Sequence, residues 1–144
     1  MTVLLDDHLL RDWMVGADLT LRRAAGREDI ATTNLWYARL AKSAARAGAG
    51  AGALLGGLSP GEREGLVSAL VRLPTGITVV PMPDLAWRMG VLVSAHRGLS
   101  TLGSEAVAAA EALEGRLLVS SRDDGPGVRS TCMALGIEYA TVDR

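Results

Sequence analysis

The chain has 144 residues, of which 49% are hydrophobic although phenylalanine is absent, so it is long enough for one domain with a core of Leu, Val and Ala. Its net charge of −1 argues against a strongly basic nucleic-acid binder, and its single cysteine, Cys132, excludes a disulfide framework and a cysteine-based zinc site. Acids at Asp6 and Asp7 argue against a signal peptide. No apolar run approaches the roughly 20 residues of a membrane span, so we expect a cytoplasmic protein.

The spacing of apolar and turn-forming residues predicts the elements in chain order. The first half contains a buried strand over residues 3–5, a helix over 8–15, a loop over 16–31 with a short helix at 19–25, a helix from 35 to about 47, and a Gly/Ala-rich connection over 47–57. The second half contains a helix over 62–73, a strand over 77–80, a helix opened by Pro83-Asp84, an Ala-rich helix over 104–113, a strand over 117–120, a helix over 128–135 and a strand over 137–142.

Strands separated by helices favour parallel pairing. We therefore expect an α/β fold, a three-layer α/β/α sandwich with a central, mostly parallel sheet, formed by residues 1–144 as a single domain. Trp13, Trp36 and Trp87 are scattered at positions typical of a core and do not form a base-stacking platform.

Acidic residues follow two of the predicted strands. Asp6 comes directly after one apolar run, Asp123 follows another, and Glu105 lies in the first turn predicted for the Ala-rich helix. Ligands of open α/β sheets bind at the carboxyl ends of the strands, where these side chains are expected to converge. Converging carboxylates repel one another unless a hard divalent cation or basic side chains neutralise them.

An all-oxygen site suits Mg²⁺ or Mn²⁺, and with only two histidines zinc fits poorly. Water activated by such a metal would attack a phosphodiester. Simpler explanations exist for the same residues. The dipole of a helix favours Glu105 near its N-terminus, and Asp123 or Asp124 before Gly-Pro-Gly is a common turn residue or helix cap.

Basic residues lie close to these acids. Arg39, Lys42 and Arg46 share one face of a predicted helix, and Arg122 precedes Asp123. Together they form a candidate nucleic-acid-binding patch for phosphates; the alternative is a solvated helix face. The run from Gly48 to Gly52 follows a helix and lacks a Gly-Lys-Ser/Thr ending, so it does not predict a phosphate loop.

Four motifs occur in an order and spacing that resemble one family. They are Val3-Leu4-Leu5-Asp6-Asp7-His8, Glu105-Ala106-Val107-Ala108-Ala109, Leu118-Val119-Ser120-Ser121-Arg122-Asp123, and the Ala-Leu-Gly-Ile step into a final strand over residues 134–139. The chain resembles the PIN-domain family, the fold of VapC-type ribonuclease toxins, over nearly its whole length.

The resemblance implies a metal-dependent ribonuclease of the toxin type that hydrolyses RNA phosphodiesters. Its catalytic and metal-binding residues would be Asp6, Glu105 and Asp123, holding Mg²⁺ or Mn²⁺. It also implies a homodimer and a small antitoxin protein as partner.

Arg39 supports a second hypothesis. Active members of the family carry a Glu at the place that Arg39 fills after Thr32-Thr33. A cation there would pair with the remaining acids and neutralise them without a metal. The alternative function is therefore a catalytically degenerate PIN-like protein that binds RNA or a protein partner without cleavage.

Overall fold

The structure, a computed structural model, describes residues 1–16, 18–46 and 54–144. The strands are β1 Thr2–Leu5, β2 Asp29–Thr32, β3 Ile77–Val79, β4 Arg116–Ser120 and β5 Tyr139–Val142. The helices are α1 Asp7–Gly16, α2 Leu19–Ala25, α3 Asn34–Ala45, α4 Pro60–Val71, α5 Met82–Ala95, α6 Thr101–Ala112 and α7 Pro126–Leu135, with a 3₁₀ turn at Ser121–Asp123.

Local capping explains several helix boundaries. The Thr33 side chain accepts a hydrogen bond from the Trp36 amide at the start of α3. Ser59 and Glu62 form a reciprocal capping box at the start of α4. At the end of α7, Gly136 adopts a left-handed conformation with φ of 71°, which an L side chain rarely adopts. These boundaries therefore follow from the sequence beside them.

The five strands form one parallel sheet in the order β3-β2-β1-β4-β5. In register, Val3 lies opposite Ile30 on one side and opposite Arg116 on the other. The chain proceeds from β1 through β2 to β3 in one direction and from β4 to β5 in the other. The order therefore reverses between β1 and β4, which is where open α/β sheets bind ligands.

Helices cover both faces of the sheet. Val3 and Leu5 of β1 pack in a cluster with Leu residues of α1, α2, α3 and α4. Leu4 points the other way, into a cluster built largely from α5, α6 and α7 that includes the buried Cys132. This alternation is that of a strand buried on both faces. The predicted three-layer α/β/α sandwich is confirmed, and the sheet is entirely parallel.

Three expectations need correction or lie outside the described residues. Residues 29–31, predicted as loop, form with Thr32 the strand β2, which lies between β3 and β1; only Ile30 and Ala31 are apolar there, too few for a strand pattern. Trp87 is 86% exposed on α5 and does not belong to the core. The Gly/Ala-rich stretch over 47–53, including the run from Gly48 to Gly52, lies outside the described residues. Of the helices in the described ranges, none combines the length and apolar content needed to cross a bilayer.

Candidate active site

Asp6 joins the ends of β1 and β4. It is fully buried; its Oδ1 accepts a hydrogen bond from the Leu9 amide at 2.9 Å and its Oδ2 accepts one from the Ser120 amide at 2.8 Å. The first bond caps α1 and the second fixes the end of β4 beside β1. Asp6 therefore shapes the carboxyl edge of the sheet, and both of its oxygens are already engaged.

Asp7 and Asp123 each contribute one open oxygen at this edge, that is, a carboxylate oxygen that makes no well-aligned hydrogen bond with a described residue. Asp7 is the first residue of α1 and is buried, and Asp123 ends the 3₁₀ turn after β4. The Oδ2 atoms of both are buried without a hydrogen-bond partner among the described residues. One ligand atom each from Asp7, His8 and Asp123 lie within 4.8 Å of one another.

His8 connects this cluster to a second charged network. Its Nε2 lies 3.3 Å from Asp123 Oδ2, and its Nδ1 lies 2.7 Å from an Nη1 of Arg144. Because a guanidinium only donates, Nδ1 is the acceptor and the proton resides on Nε2. Arg144 also donates from Nε and Nη2 to the two oxygens of Asp12. His8 thus faces Asp123 with a proton rather than with a lone pair.

Arg39 places a cation against the open oxygens. Its Nε lies 3.1 Å from Asp7 Oδ2, and its Nη2 lies 3.9 Å from Asp123 Oδ2. The ion pairing of Arg39 with the acidic edge, expected from the sequence, is confirmed. Its side chain is 46% exposed, so the guanidinium reaches the buried acids from solvent and has room to move.

Arg39 alone does not balance the negative charge that the carboxylates would carry at this edge of the sheet. Burial raises the pKa of Asp6 to about 7, against the lowering effect of its two backbone hydrogen bonds. Burial raises the pKa of Asp7 to about 6, although the Arg39 charge opposes this. Burial also lowers the pKa of His8, which keeps its imidazole neutral at pH 7. An additional cation at the edge would therefore favour the ionised carboxylates.

Glu105 lies apart from this cluster and caps α3. The helix α6 starts at Thr101, one turn earlier than predicted, so Glu105 is in its second turn rather than its first. Glu105 Oε2 accepts from the amide and the side-chain Nδ2 of Asn34, at 2.9 and 2.6 Å, and Oε1 accepts from the Leu35 amide at 2.8 Å. The carboxylate thus meets the positive end of the α3 dipole.

A polar clamp holds the loop that carries Asp123. The Tyr139 hydroxyl on β5 donates to Asp124 Oδ1 at 2.8 Å and accepts from the Gly125 amide at 3.4 Å. Arg129 donates to both oxygens of Asp124, and its guanidinium lies 4.9 Å from the centre of the Tyr139 ring. Residues of β5 and α7 therefore fix the position of this loop.

The predicted basic patch is only partly gathered at the edge. Lys42 is exposed on α3 one turn beyond Arg39, and Arg46 is exposed at the C-cap of the same helix, a further turn along. Arg122 is exposed on the 3₁₀ turn, adjacent in sequence to Asp123. Of these four residues, Arg39 alone has a recorded ion pair with the acidic edge.

Sequence reasoning did not single out Asp7, Arg144 or Tyr139. For Asp7 the signal was present, because an Asp-Asp pair at a strand-to-helix junction directs one carboxylate to the cap and leaves the other for the cleft. Arg144 and Tyr139 carry no local signal. Their partners are 136 and 15 residues away in the chain.

The donor chemistry of the cluster fits a divalent cation. Among the described residues, two buried carboxylate oxygens make no well-aligned hydrogen bond, and Mg²⁺ or Mn²⁺ with water in the remaining positions would complete this arrangement. Asp7 and Asp123 would hold it. Asp6 and Glu105 already have donors on both oxygens, and neither belongs to the three-residue group within metal-binding reach in the described part of the chain.

Comparisons with known proteins give a fold likeness. No protein-family profile matches the chain, and no curated protein matches it by sequence. Among solved structures, a chain of a toxin–antitoxin complex from Klebsiella pneumoniae superposes with a TM-score of 0.57 and 16% sequence identity, over 87% of this chain and 91% of that chain. This protein therefore shares its fold with a chain of that complex.

Proposed function

We propose that this protein is the toxin-type member of a toxin–antitoxin pair and hydrolyses RNA phosphodiesters with a divalent metal ion at the carboxyl edge of the sheet. The observation that carries the proposal is the pair of buried oxygens, Asp7 Oδ2 and Asp123 Oδ2, which make no well-aligned hydrogen bond with a described residue although Arg39 and His8 lie within ion-pair distance of them. The fold shared with a chain of a toxin–antitoxin complex and the resemblance to PIN-domain toxins supply the substrate class and the antitoxin partner.

The residues of the edge divide the chemical work. Asp7 and Asp123 would hold Mg²⁺ or Mn²⁺, which supplies an activated water near neutral pH. Asp6 holds the end of β4 beside β1 through the hydrogen bond from the Ser120 amide and caps α1 through the one from the Leu9 amide, so that the carboxylates of Asp7 and Asp123 converge. His8, neutral and with its proton on Nε2, would donate a hydrogen bond to a phosphate oxygen of the substrate, and the leaving oxygen would take its proton from water.

Arg39 has a defined place in this scheme. If Asp7 and Asp123 held the cation, the half-exposed guanidinium of Arg39 would lose these partners and would be placed to bind a phosphate of the substrate. Its planar fork matches two phosphate oxygens and stabilises the charge of the transition state. Arg39 would then contact the same phosphodiester as a metal held by Asp7 and Asp123.

The test is calorimetry of Mn²⁺ binding combined with cleavage of a structured RNA. Wild-type protein should bind one Mn²⁺ and cut the RNA only when the metal is present. Asp123→Asn should lose both properties, because it removes one of the two open oxygens. Asp84→Asn, a matched loss of an exposed carboxylate on α5, should change neither. Absence of Mn²⁺ binding in the wild type would remove this function.

A second function is favoured by one observation, the ion pairs of Arg39 with Asp7 and Asp123. If this internal cation permanently replaces the metal, the protein is a degenerate relative that binds RNA without cutting it. Wild type would then bind RNA in EDTA, show no Mn²⁺ binding and leave the RNA intact. Arg39→Glu would create Mn²⁺ binding where the wild type has none.

A further inference from the structure

An arginine-lined cavity adjoins the acidic edge. It has a volume of about 400 Å³ and is lined by Arg11, Arg122 and Arg144 together with the carboxylates of Asp12 and Asp18. Three guanidinium groups therefore face two carboxylates, which leaves the cavity with a net positive charge.

The two carboxylates are already engaged within the protein. Asp12 accepts hydrogen bonds from Arg11 and Arg144 on its Oδ1 and from Arg144 on its Oδ2. Asp18 Oδ1 caps α2 by accepting from the Leu21 amide at 2.8 Å. A ligand entering the cavity thus meets Asp12 already paired with two arginines and Asp18 already hydrogen-bonded to a backbone amide.

The arginines of the cavity carry more N–H donors than the described residues around them have acceptors for. Arg11 uses Nε for Asp12 and Nη1 for the carbonyl oxygens of Leu54 and Gly56, so no acceptor is recorded for its Nη2 within the described ranges. The exposed guanidinium of Arg122 has no ion pair or side-chain hydrogen bond with any described residue. Arg11 and Arg144 are held in place by Asp12, whereas Arg122 is available to move.

We propose that this cavity binds a phosphoryl group of the RNA backbone next to the phosphodiester that is cut. Donors that approach from three separate elements match a tetrahedral anion, whereas a planar carboxylate is satisfied by one guanidinium fork. This inference rests on the proposed function for the identity of the ligand. It adds a second phosphate contact that the acidic edge itself does not supply.

The cavity and the acidic edge are joined by direct contacts. Arg122 precedes Asp123 in the 3₁₀ turn, and Arg144 donates to His8, whose Nε2 faces Asp123. A strand with one phosphate in the cavity therefore passes the cluster of Asp7, His8 and Asp123. Binding in the cavity would set which phosphodiester lies beside Arg39.

The test measures binding of a fluorescein-labelled single-stranded RNA by anisotropy in EDTA, so that it does not depend on metal or cleavage. Arg122→Ala should weaken binding roughly five- to tenfold, and the slope of log affinity against log salt should fall by about 0.7, the value for one phosphate contact on a single strand. Arg97→Ala, the loss of an exposed arginine outside the cavity, should stay within about twofold of wild type. Arg122→Lys should retain most of the affinity.

Competition by inorganic phosphate and by oligoglutamate distinguishes recognition of a phosphoryl group from binding of any anion. Displacement of the RNA by millimolar inorganic phosphate supports phosphoryl recognition. Tight binding of phosphate without RNA binding would overturn the RNA assignment. Equal losses for Arg122→Ala and Arg97→Ala, or displacement by oligoglutamate as effective as by phosphate, would overturn the proposal itself. Wild type that binds RNA through Arg122 but neither binds Mn²⁺ nor cuts would keep this inference and remove the nuclease function.

Discussion

The Nε atom of Arg39 lies 3.1 Å from the buried Oδ2 of Asp7, an oxygen that makes no well-aligned hydrogen bond with any described residue. Arginine and metal ion would therefore compete for the same carboxylate. We expect Arg39→Ala to strengthen Mn²⁺ binding roughly two- to fivefold, the size of one partly exposed ion pair. It should also raise the pKa of Asp7 above its present value of about 6, because the Arg39 charge now lowers that pKa.

Calorimetry and carboxyl-carbon NMR check both effects of Arg39→Ala. Lys42→Ala, a loss of the exposed lysine one turn further along α3, is the control and should leave both unchanged. Cleavage should fall in Arg39→Ala even as metal binding improves, since the phosphate loses its arginine. Unchanged Mn²⁺ affinity in Arg39→Ala would show that the ion pair does not obstruct the site.

Glu105→Ala should destabilise the fold by about 2–4 kcal/mol, because it leaves the two half-buried amides of Asn34 and Leu35 without an acceptor and opens a cavity where the buried Glu105 side chain lay. Glu105→Gln keeps the shape and should lose about half as much. Urea unfolding measures both variants, with the exposed Glu64→Gln as control. If Glu105→Ala instead keeps its stability and loses Mn²⁺ binding, Glu105 is a metal ligand, as the family resemblance predicts.

The folded stability should depend on pH through Asp6. Its pKa rises from an ordinary 3.8 to about 7 on folding, so the folded state holds the proton more tightly than the unfolded chain. The contribution of Asp6 is therefore fully present below pH 3.8 and is lost as pH rises through 7. In EDTA, the unfolding free energy of wild type minus that of Asp6→Asn should fall by roughly 2–4 kcal/mol between pH 4 and pH 8.

Urea titrations at several pH values measure this difference for Asp6. Groups shared by both proteins, such as Asp12, cancel in the subtraction. Asp6→Asn should be less stable at low pH, because an amide cannot accept from both the Leu9 and the Ser120 amides. A difference that does not vary with pH would mean that Asp6 is ionised throughout.

Tyr139→Phe tests the clamp on the Asp123 loop. The variant keeps the ring under Arg129 but removes the hydroxyl that donates to Asp124. We expect a loss of about 1 kcal/mol in stability and a roughly threefold to tenfold weaker Mn²⁺ affinity, because the loop is less well ordered. Hydrogen exchange at the Gly125 amide should become faster. Wild-type affinity in Tyr139→Phe would show that β4 alone positions Asp123.

Two glycines with opposite surroundings give a matched stability pair. A Cβ at Gly127 would lie 2.7 Å from the backbone oxygen of Gly98, so Gly127→Ala should cost about 1–3 kcal/mol. A Cβ at Gly65, within α4, meets no atom within 4 Å. Gly65→Ala should stabilise the protein by about 0.5–1 kcal/mol. Thermal unfolding distinguishes the two, and equal shifts of the same sign would contradict the packing of α7.

The sequence by itself determined the layers of the fold and the edge that carries the acids. Apolar runs, helix caps and turn residues act within a few neighbours, so they indicate elements such as α4 and β4 without knowledge of the rest. Parallel strands joined by helices then place Asp6 and Asp123 at one edge. The strand β2 could not be predicted from the sequence, because it is only four residues long and has two apolar side chains. Its pairing with β1 and β3 stabilises it instead.

Only the tertiary structure decided which oxygens are open. Asp6 and Asp7 are chemically alike and adjacent, yet Asp6 is saturated by the Ser120 amide, 114 residues away, while Asp7 keeps an open oxygen. Glu105 is engaged by the start of α3, 71 residues distant, and His8 takes its tautomer from Arg144. Hydrogen-bond partners across such separations depend on how whole helices and strands pack. They cannot be predicted from the residues that neighbour each of them in the sequence.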